Sequence, residues 1–468
     1  MARPRKNAAK VQGSLLAPDE VAEIPVEEQP YPLPEGWRWV RLGSTITLHR
    51  GVSYKKTDAH SIPSANDCLI MRGGNICEGS IELYTDNVYV DKSLISQDQF
   101  IKNLDIIIVT STGSKNVIGR AGIAFQDYQN VAFGAFLTLA RINDGYNKRY
   151  ISFYFQSDLY RNRIRKLANG VSINNVRSEY ITESELPFPP IDEQQRIVDR
   201  IESLFARLDE AKSKAEAVLD SFEIRKAVIL HKAFTGELTA KWRDERGVDM
   251  KSWEYVKLST VSRLQTGIMK GKKYIKETQK MPYLRVANVQ DGYFDLNEIK
   301  EIDLPIDDMN RYLLRKGDVL FTEGGDFDKL GRGAVWNEEI FPCTHQNHIF
   351  VVRTDAKRLV PKFLSLQARS QYGKQYFLHC SKQTTNLASI NSTQLKNFPL
   401  ILPSVAEQQE LVHILDNLLA KEQQAKEAAE TVLHQLKLMK KAILARAFRG
   451  ELGTHGSARD TLQNNGSM

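Results

Sequence analysis

The sequence predicts an α+β protein written twice: two tandem mixed α/β domains separated by two long helices that pair as an antiparallel coiled coil. Three observations predict it. The string PPIDEQQRIV (Pro189–Val198) returns as PSVAEQQELV (Pro403–Val412), and A-F-x-G-E-L stands at Ala233–Leu238 and again at Ala447–Leu452. Glu193 and Glu407 are 214 positions apart (407 − 193), as are Gly236 and Gly450, so the segment between these marks recurs without insertion or deletion. Inside that segment the apolar residues keep a 4-3-4-3 spacing, which is the seam of a coiled coil.

Along the chain, residues 1–30 lack periodicity and read as a mobile N-terminal tail. The start, MARPRKNAAKVQGS, is basic with no apolar stretch behind it, so it does not read as a secretory signal. The first front covers residues 31–190 and the second residues 253–403. Weaker echoes link them: EGWRWVRLGS with KSWEYVKLST, LHRGVSYKK with LQTGIMKGKK, and LDIIIVTSTGSKNVIGRAGIAF with GDVLFTEGGDFDKLGRGAVW. Short β-branched runs such as DIIIVTST and HIFVVRT, punctuated by Gly, Asn and Asp, predict strands. Short helices are expected at Arg149–Lys166 and Pro361–Leu378.

The central spacer helix is expected over 191–237, a linker over 238–252, the distal spacer helix over 404–450 and a tail over 451–468. The first seam is Ile197, Ile201, Leu204, Leu208, Ala211, Ala215, Val218 and Phe222, continuing to Arg225 and Ile229. The second is Leu411, Leu415, Leu418, Glu422, Ala425, Ala429, Val432 and Leu436. Pro190 and Pro403 precede the helices, and Gly236 and Gly450 end them. About 40 residues span roughly 60 Å, far beyond an ordinary domain helix. Two antiparallel rods in a tandem repeat imply a pseudo-twofold organisation with the divergent fronts at opposite ends.

A length of 468 residues bounds the domain count at two to four, and no run approaches the ~18–20 apolar residues of a membrane span. Cys68, Cys77, Cys343 and Cys380 show no C-x-x-C spacing, which fits a reducing compartment. The formal charge of +7 is modest, so a nucleic-acid reading rests on where the charges sit. No phosphate-binding G-x-x-x-x-G-K-[ST] and no G-x-G-x-x-G occurs. His345 and His348 form an H-x-x-H without an evident third ligand, so no metal site is expected. No catalytic residue is expected, and the chain reads as a non-enzyme.

The loops offer something else. Candidate DNA-binding residues in the first front are Arg50, Tyr54, Lys55, Lys56, Arg72, Asn75, Thr112, Ser114, Lys115, Asn116, Asn174 and Asn175. In the second they are Lys270, Lys272, Lys273, Tyr274, Arg285, Asn288, Glu323, Asp326, Lys329, Arg332, Lys382, Gln383 and Asn386. Lys and Arg neutralise phosphates, whereas Asn, Gln, Arg and carboxylates bond base edges. Glu323 and Asp326 are placed to accept from cytosine amino groups, which the matching TSTGSKN string of the first front cannot do.

The P-E-G-W string at Pro34–Trp37, both E-Q-Q helix starts, both A-F-x-G-E-L endings, LTAKWRDE and SDLYRNRI (Ser157–Ile164) together resemble the specificity subunit of type I restriction-modification enzymes. The resemblance covers nearly the whole chain. It implies two target-recognition domains, each reading half of a split target in double-stranded DNA, with the paired helices as the spacer. It further implies two modification subunits carrying adenosylmethionine and methylating adenine, and two restriction subunits using ATP and Mg, with no cofactor in this chain. Phe234, Glu237, Phe448 and Glu451 are then candidates for the surface that meets those partners. A circular organisation, with the P-E-G-W region beside the second ending, and a bacterial or archaeal cytoplasmic location beside the nucleoid follow from the same resemblance. Two readings stay open beside it: a coiled-coil scaffold without DNA readout, and a fused methyltransferase or nuclease.

Overall fold

The computed structural model describes residues 21–83, 87–168, 174–269, 277–325, 330–383 and 388–454. The chain divides into two compact units, one of residues 1–214 and 432–468 and one of residues 215–431. Each contains a front and portions of both long helices.

In unit 1 the strands are β1 (Arg38–Arg41), β2 (Ile46–Arg50), β3 (Asp67–Met71), β4 (Val88–Asp91), β5 (Ile106–Val109), β6 (Ser111–Thr112), β7 (Ala121–Ile123), β8 (Val131–Phe133) and β9 (Leu137–Ile142). Helices α1 (Lys148–Gln156) and α2 (Asp158–Leu167) follow, then β10 (Asn174–Asn175), α3 (Ser178–Thr182), β11 (Glu185–Phe188) and the long α4 (Ile191–Phe234). The sheets are an antiparallel β2-β9-β5-β7, a mixed β4-β3-β8 with β3 and β8 parallel, and the pairs β1-β11 and β6-β10.

The strand β5 explains the layering. All four residues of Ile106–Val109 are buried, and their alternation sends them to two different cores. Ile106 and Ile108 join Tyr150, Tyr154 and Phe155 of α1. Ile107 and Val109 join Met71 and Phe133 of the mixed sheet. The four-stranded sheet is therefore covered on both faces, which is why its central strand is an uninterrupted apolar run. Where the two sheets meet, a Cβ on Gly51 would lie 2.1 Å from the Gly134 carbonyl oxygen, so only glycine fits there.

Unit 2 repeats this plan. After α5 (Ala240–Arg246) come β12 (Glu254–Lys257), β13 (Ser262–Thr266), β14 (Thr278–Leu284), β15 (Lys300–Pro305), the one-turn α6 (Met309–Tyr312), β16 (Val319–Thr322), β17 (Gly324–Gly325), β18 (Gly333–Val335), β19 (Thr344–His345) and β20 (Ile349–Thr354). Then follow α7 (Pro361–Arg369), α8 (Gln371–Cys380), β21 (Lys382–Gln383), β22 (Ala388–Ser389), α9 (Ser392–Lys396), β23 (Pro399–Leu402) and α10 (Val405–Phe448). The sheets β13-β20-β16-β18, β15-β14-β19, β12-β23 and β17-β22-β21 match those of unit 1 strand for strand, with β21 as an addition. Val319 and Phe321 face the helical core, and Leu320 faces the other. Even the ion pair behind the central strand recurs: Arg141 Nε to Asp105 at 2.9 Å and Arg353 Nε to Asp318 at 2.8 Å.

Helices α4 and α10 have 44 residues each and run antiparallel within each unit. In unit 1, Ile197 and Ile201 near the start of α4 share a core with Leu444, Ala447 and Phe448 at the end of α10. In unit 2, Leu230 and Phe234 share one with Leu411 and Leu415. Of the expected seam, Ile197, Ile201, Ala215, Phe222, Leu411, Leu415, Ala429 and Leu436 are buried, and Leu204, Leu208, Ala211, Val218 and Leu418 are half-buried. Ala425 and Val432 are exposed, contrary to the heptad expectation. A straight α-helix carries a strict heptad stripe around by ~20° per heptad, so it leaves the contact line. Beside Ala425, the Lys426 ammonium instead covers the Phe222 ring at 4.9 Å.

Three boundaries differ from expectation. Residues 21–30 are not a free tail: Val21 and Ile24 are buried, and Glu23 bridges to Val40 of β1. The expected helices Arg149–Lys166 and Pro361–Leu378 are each two helices, broken at Ser157 and Ser370. Their hydroxyls accept from Tyr160 N and Gly373 N as N-caps. The expected linker 238–252 contains α5. The four cysteines are free, and no helix among the described residues is long and apolar enough to cross a membrane.

Candidate nucleic-acid interface

Strands β2, β3, β5 and β8 all end at one edge of unit 1. Arg50 pairs with Thr138 at the start of β9, and Val109 with Leu137. Met71 pairs with Phe133, and Gly134 N donates to Met71 O at 2.9 Å. This edge therefore gathers the loops that begin at Arg50, Arg72, Thr110 and Gly134, which the sequence alone left scattered. Unit 2 gathers the loops after β13, β14, β16 and β19 in the same way.

Of the first-front candidates, Arg50, Lys55, Lys56, Arg72, Ser114, Lys115, Asn116 and Asn175 are exposed. Tyr54 and Thr112 are half-buried, Tyr54 against Val52, Ile70 and Val90. Asn175 reaches this edge because β10 pairs with β6, setting Asn175 opposite Ser111 and Asn174 opposite Thr112. Arg161, buried on α2, donates to Ile118 O at 2.7 Å and Asn116 O at 3.1 Å, so it fixes the loop that presents Ser114, Lys115 and Asn116. Burial, and then neighbouring Arg165, lower its pKa to about 10. The SDLYRNRI string is thus a loop support.

Several expectations are corrected. Asn75 and Asn288 are buried and spend their amides within their own loops. Asn75 donates to Glu82 O at 3.0 Å, and Asn288 donates to Asp295 O at 2.8 Å and Glu298 O at 3.1 Å. They shape the interface without reaching out of it. Arg285 is held by Glu298 at 3.2 Å and Arg332 by Gln290 at 2.7 Å, so neither is a free phosphate contact. Glu323 is 35% exposed and bonded to His348, while Lys382 and Gln383 are exposed. Lys270, Lys272, Lys273, Tyr274, Asp326, Lys329, Asn386 and the Asn174 side chain lie outside the described residues. The two histidines of H-x-x-H part company. His345 is buried, its pKa pulled down to about 3 by burial and then by Arg353, while His348 is exposed. Among the described residues no group of three or more His, Cys, Asp or Glu is placed to hold a metal ion.

The repeated motifs carry the frame. Gln194 and Gln408 of the two E-Q-Q strings each donate to the carbonyl of the preceding proline stretch, Pro189 O at 2.8 Å and Pro403 O at 2.9 Å. In unit 2, fully buried Glu407 accepts from Thr239 Oγ1 and Arg243 at 2.7 Å each and from Trp253 Nε1 at 2.9 Å. LTAKWRDE is therefore the clamp on the start of α10. Phe234 and Phe448 are buried in the cores of their units, which corrects their assignment to a partner surface. An A-F pair ending a helix turns its ring inward onto α7 (Phe363) or α1 (Tyr150). Glu237 and Glu451 remain exposed. In unit 1 the second ending meets the N-terminal segment: Tyr31 Oη donates to Phe448 O at 2.9 Å.

A duplicated α+β unit that gathers loops differing between its two copies along one sheet edge, joined to long paired helices, defines a tandem recognition scaffold. The chain belongs to the type I restriction modification DNA specificity domain family, whose model matches residues 34–219 and 250–431. It is 29% identical over 428 residues to the EcoKI specificity subunit of Escherichia coli strain K12, covering 90% of each chain. It is 28% identical to the StySPI specificity subunit of Salmonella potsdam, again over 90% of each. The fold matches the HsdS subunit of Thermoanaerobacter tengcongensis with TM-score 0.56 and 20% identity, over 91% of this chain and 99% of that one. A chain from a structure of an assembled type I restriction-modification system matches with TM-score 0.65 and 22% identity, over 90% of this chain and 100% of that one.

Proposed function

We infer that the chain is the DNA-reading, non-catalytic subunit of a type I restriction-modification complex in the cytoplasm, recognising a split target with one half per unit. The observation that carries this reading is the doubled interface edge: the same strands in both units present loops of different chemistry, as two unlike half-targets require. The helices α4 and α10 serve as the spacer that sets the unread gap. Two modification subunits bring adenosylmethionine and adenine methylation, and two restriction subunits bring ATP- and Mg-dependent translocation and cleavage.

Two equivalent docking surfaces suit two copies of one partner. Ile224 of α4 and Leu438 of α10 occupy the same position in the repeat and are 67% and 52% exposed. They replace Phe234 and Phe448 as the apolar candidates. Changing both to Glu is expected to abolish co-purification with the modification subunit while leaving the fold intact.

Binding of the assembled complex to duplex DNA tests the function. Each phosphate that is no longer neutralised reduces the salt slope by ~0.9. Replacing Lys55 and Lys56 with Ala is therefore expected to flatten it by up to ~2 and to weaken binding to all sequences alike. Absence of duplex binding by the wild-type complex would exclude DNA reading and favour a bare scaffold.

A further inference from the structure

The turn between the mixed sheet and the four-stranded sheet occupies the same place in both units, yet its exposed side chain differs. In unit 1, Leu137 N donates to Gly134 O at 2.9 Å; in unit 2, Ile349 N donates to Gln346 O at 3.0 Å. The residue before the closing position is Phe136, 69% exposed, or His348, whose side chain is 58% exposed. Its carbonyl receives the end of the central strand, from Thr110 N at 3.0 Å or Glu323 N at 2.9 Å. That strand end in turn accepts from Val176 N at 2.8 Å or Ile390 N at 2.7 Å. Thr110 with Phe136 and Glu323 with His348 are thus one structural pair of positions, filled by different chemistry.

In unit 1 the Thr110 hydroxyl is spent, 3.2 Å from Phe136 O and 3.1 Å from Thr138 Oγ1. The phenyl ring is left as the outward feature. An aromatic ring left exposed at a loop tip keeps its apolar face available to a group outside the chain. In unit 2 the Glu323 carboxylate is bonded to His348 Nδ1, and the Asn347 amide nitrogen lies 3.4 Å from His348 Nε2. Glu323 and His348 line a groove of about 540 Å³ with Lys382 and Ser389. A carboxylate there accepts from an exocyclic amino group and repels the acceptor-rich major-groove edge of guanine. A phenyl ring suits the thymine methyl.

We propose that this pair of positions is a specificity-determining site in each unit: Glu323, oriented by His348, selects an amino-bearing base in one half-target, and Phe136 selects a methyl-bearing base in the other. This rests on the DNA-reading function inferred above.

The test uses the full chain assembled with its modification subunits, with methylated adenines mapped on random-sequence duplex DNA. Glu323→Gln keeps volume but exchanges an acceptor for a donor. It is expected to relax or change one base pair of one half-target by about tenfold while the other half stays as in wild type. Phe136→Ala, at an exposed ring outside the core, is expected to relax one base pair of the opposite half. Variants that methylate with wild-type discrimination at every position overturn the inference while leaving DNA reading intact. So does loss of methylation in both variants with no base relaxed. A wild-type complex with no sequence preference would instead overturn the DNA-reading function itself.

Discussion

Glu407 shows how much one side chain carries in this fold. Its carboxylate is fully buried and satisfied by Thr239, Arg243 and Trp253, so the A-F-x-G-E-L-T ending and the E-Q-Q start are two halves of one network. Glu407→Gln leaves Arg243 buried without a counter-charge, and breaking such a pair costs ~3–5 kcal/mol. A clear drop in Tm is expected by calorimetry, whereas a change confined to DNA binding would refute the structural role. Asp291 carries a second network. Burial alone would raise its pKa, but Arg369 at 2.7 Å and Lys226 at 3.0 Å outweigh it and hold the carboxyl at about 2. A depressed pKa gives stability that is complete above the ordinary value of 3.8 and lost as pH falls through about 2. The difference is on the order of 2 kcal/mol. Asp291→Asn should therefore lower stability at pH 7 and flatten its acid dependence, measured by urea unfolding between pH 5 and pH 2. At this scale the sequence was a partial guide. It marked Asn75, Asn288, Arg285 and Arg332 by residue type, but whether an amide or guanidinium points outward depends on neighbours 7 to 42 positions away, which residue type does not encode.

Among elements, the helix pair was the most legible, because a repeated apolar spacing over 44 residues survives any local ambiguity. Its polar interruption carries a finer meaning. Arg225 and Glu422 both fall at expected seam positions and meet at 2.7 Å within unit 2. The pair fixes which residues face each other more than it stabilises them, in the way a polar seam residue sets register. Either single change to Leu is expected to lower Tm. The double change to Leu should restore it or raise it, with the coupling read from the double-mutant cycle. If both singles are neutral, the seam does not depend on the pair. The short helices were less legible. Ser157 and Ser370 stop and restart a continuous amphipathic pattern, and a cap of this kind is decided by where the next helix must pack.

For the whole molecule, the spacer reading makes the gap between half-targets a property of helix length. Removing one heptad from α4 within Leu204–Phe222, together with its partner heptad in α10, is expected to shift the spacing between methylated adenines. An unchanged spacing in the mapped sites would refute the spacer role. The sequence by itself determined the duplication and the paired helices, written as long-range repetition that no local packing can erase. It also determined the α+β class and the family, carried by short strand patterns and motifs that recur in both copies or stand beside them. Tertiary structure alone decided which loops share an edge, since β2, β3, β5 and β8 are brought together only by pairings between distant strands. It also turned Phe234 and Phe448 inward and revealed Phe136 and His348 as equivalent. Burial and strand register are properties of neighbours in space, and a one-dimensional pattern fixes them only where it repeats.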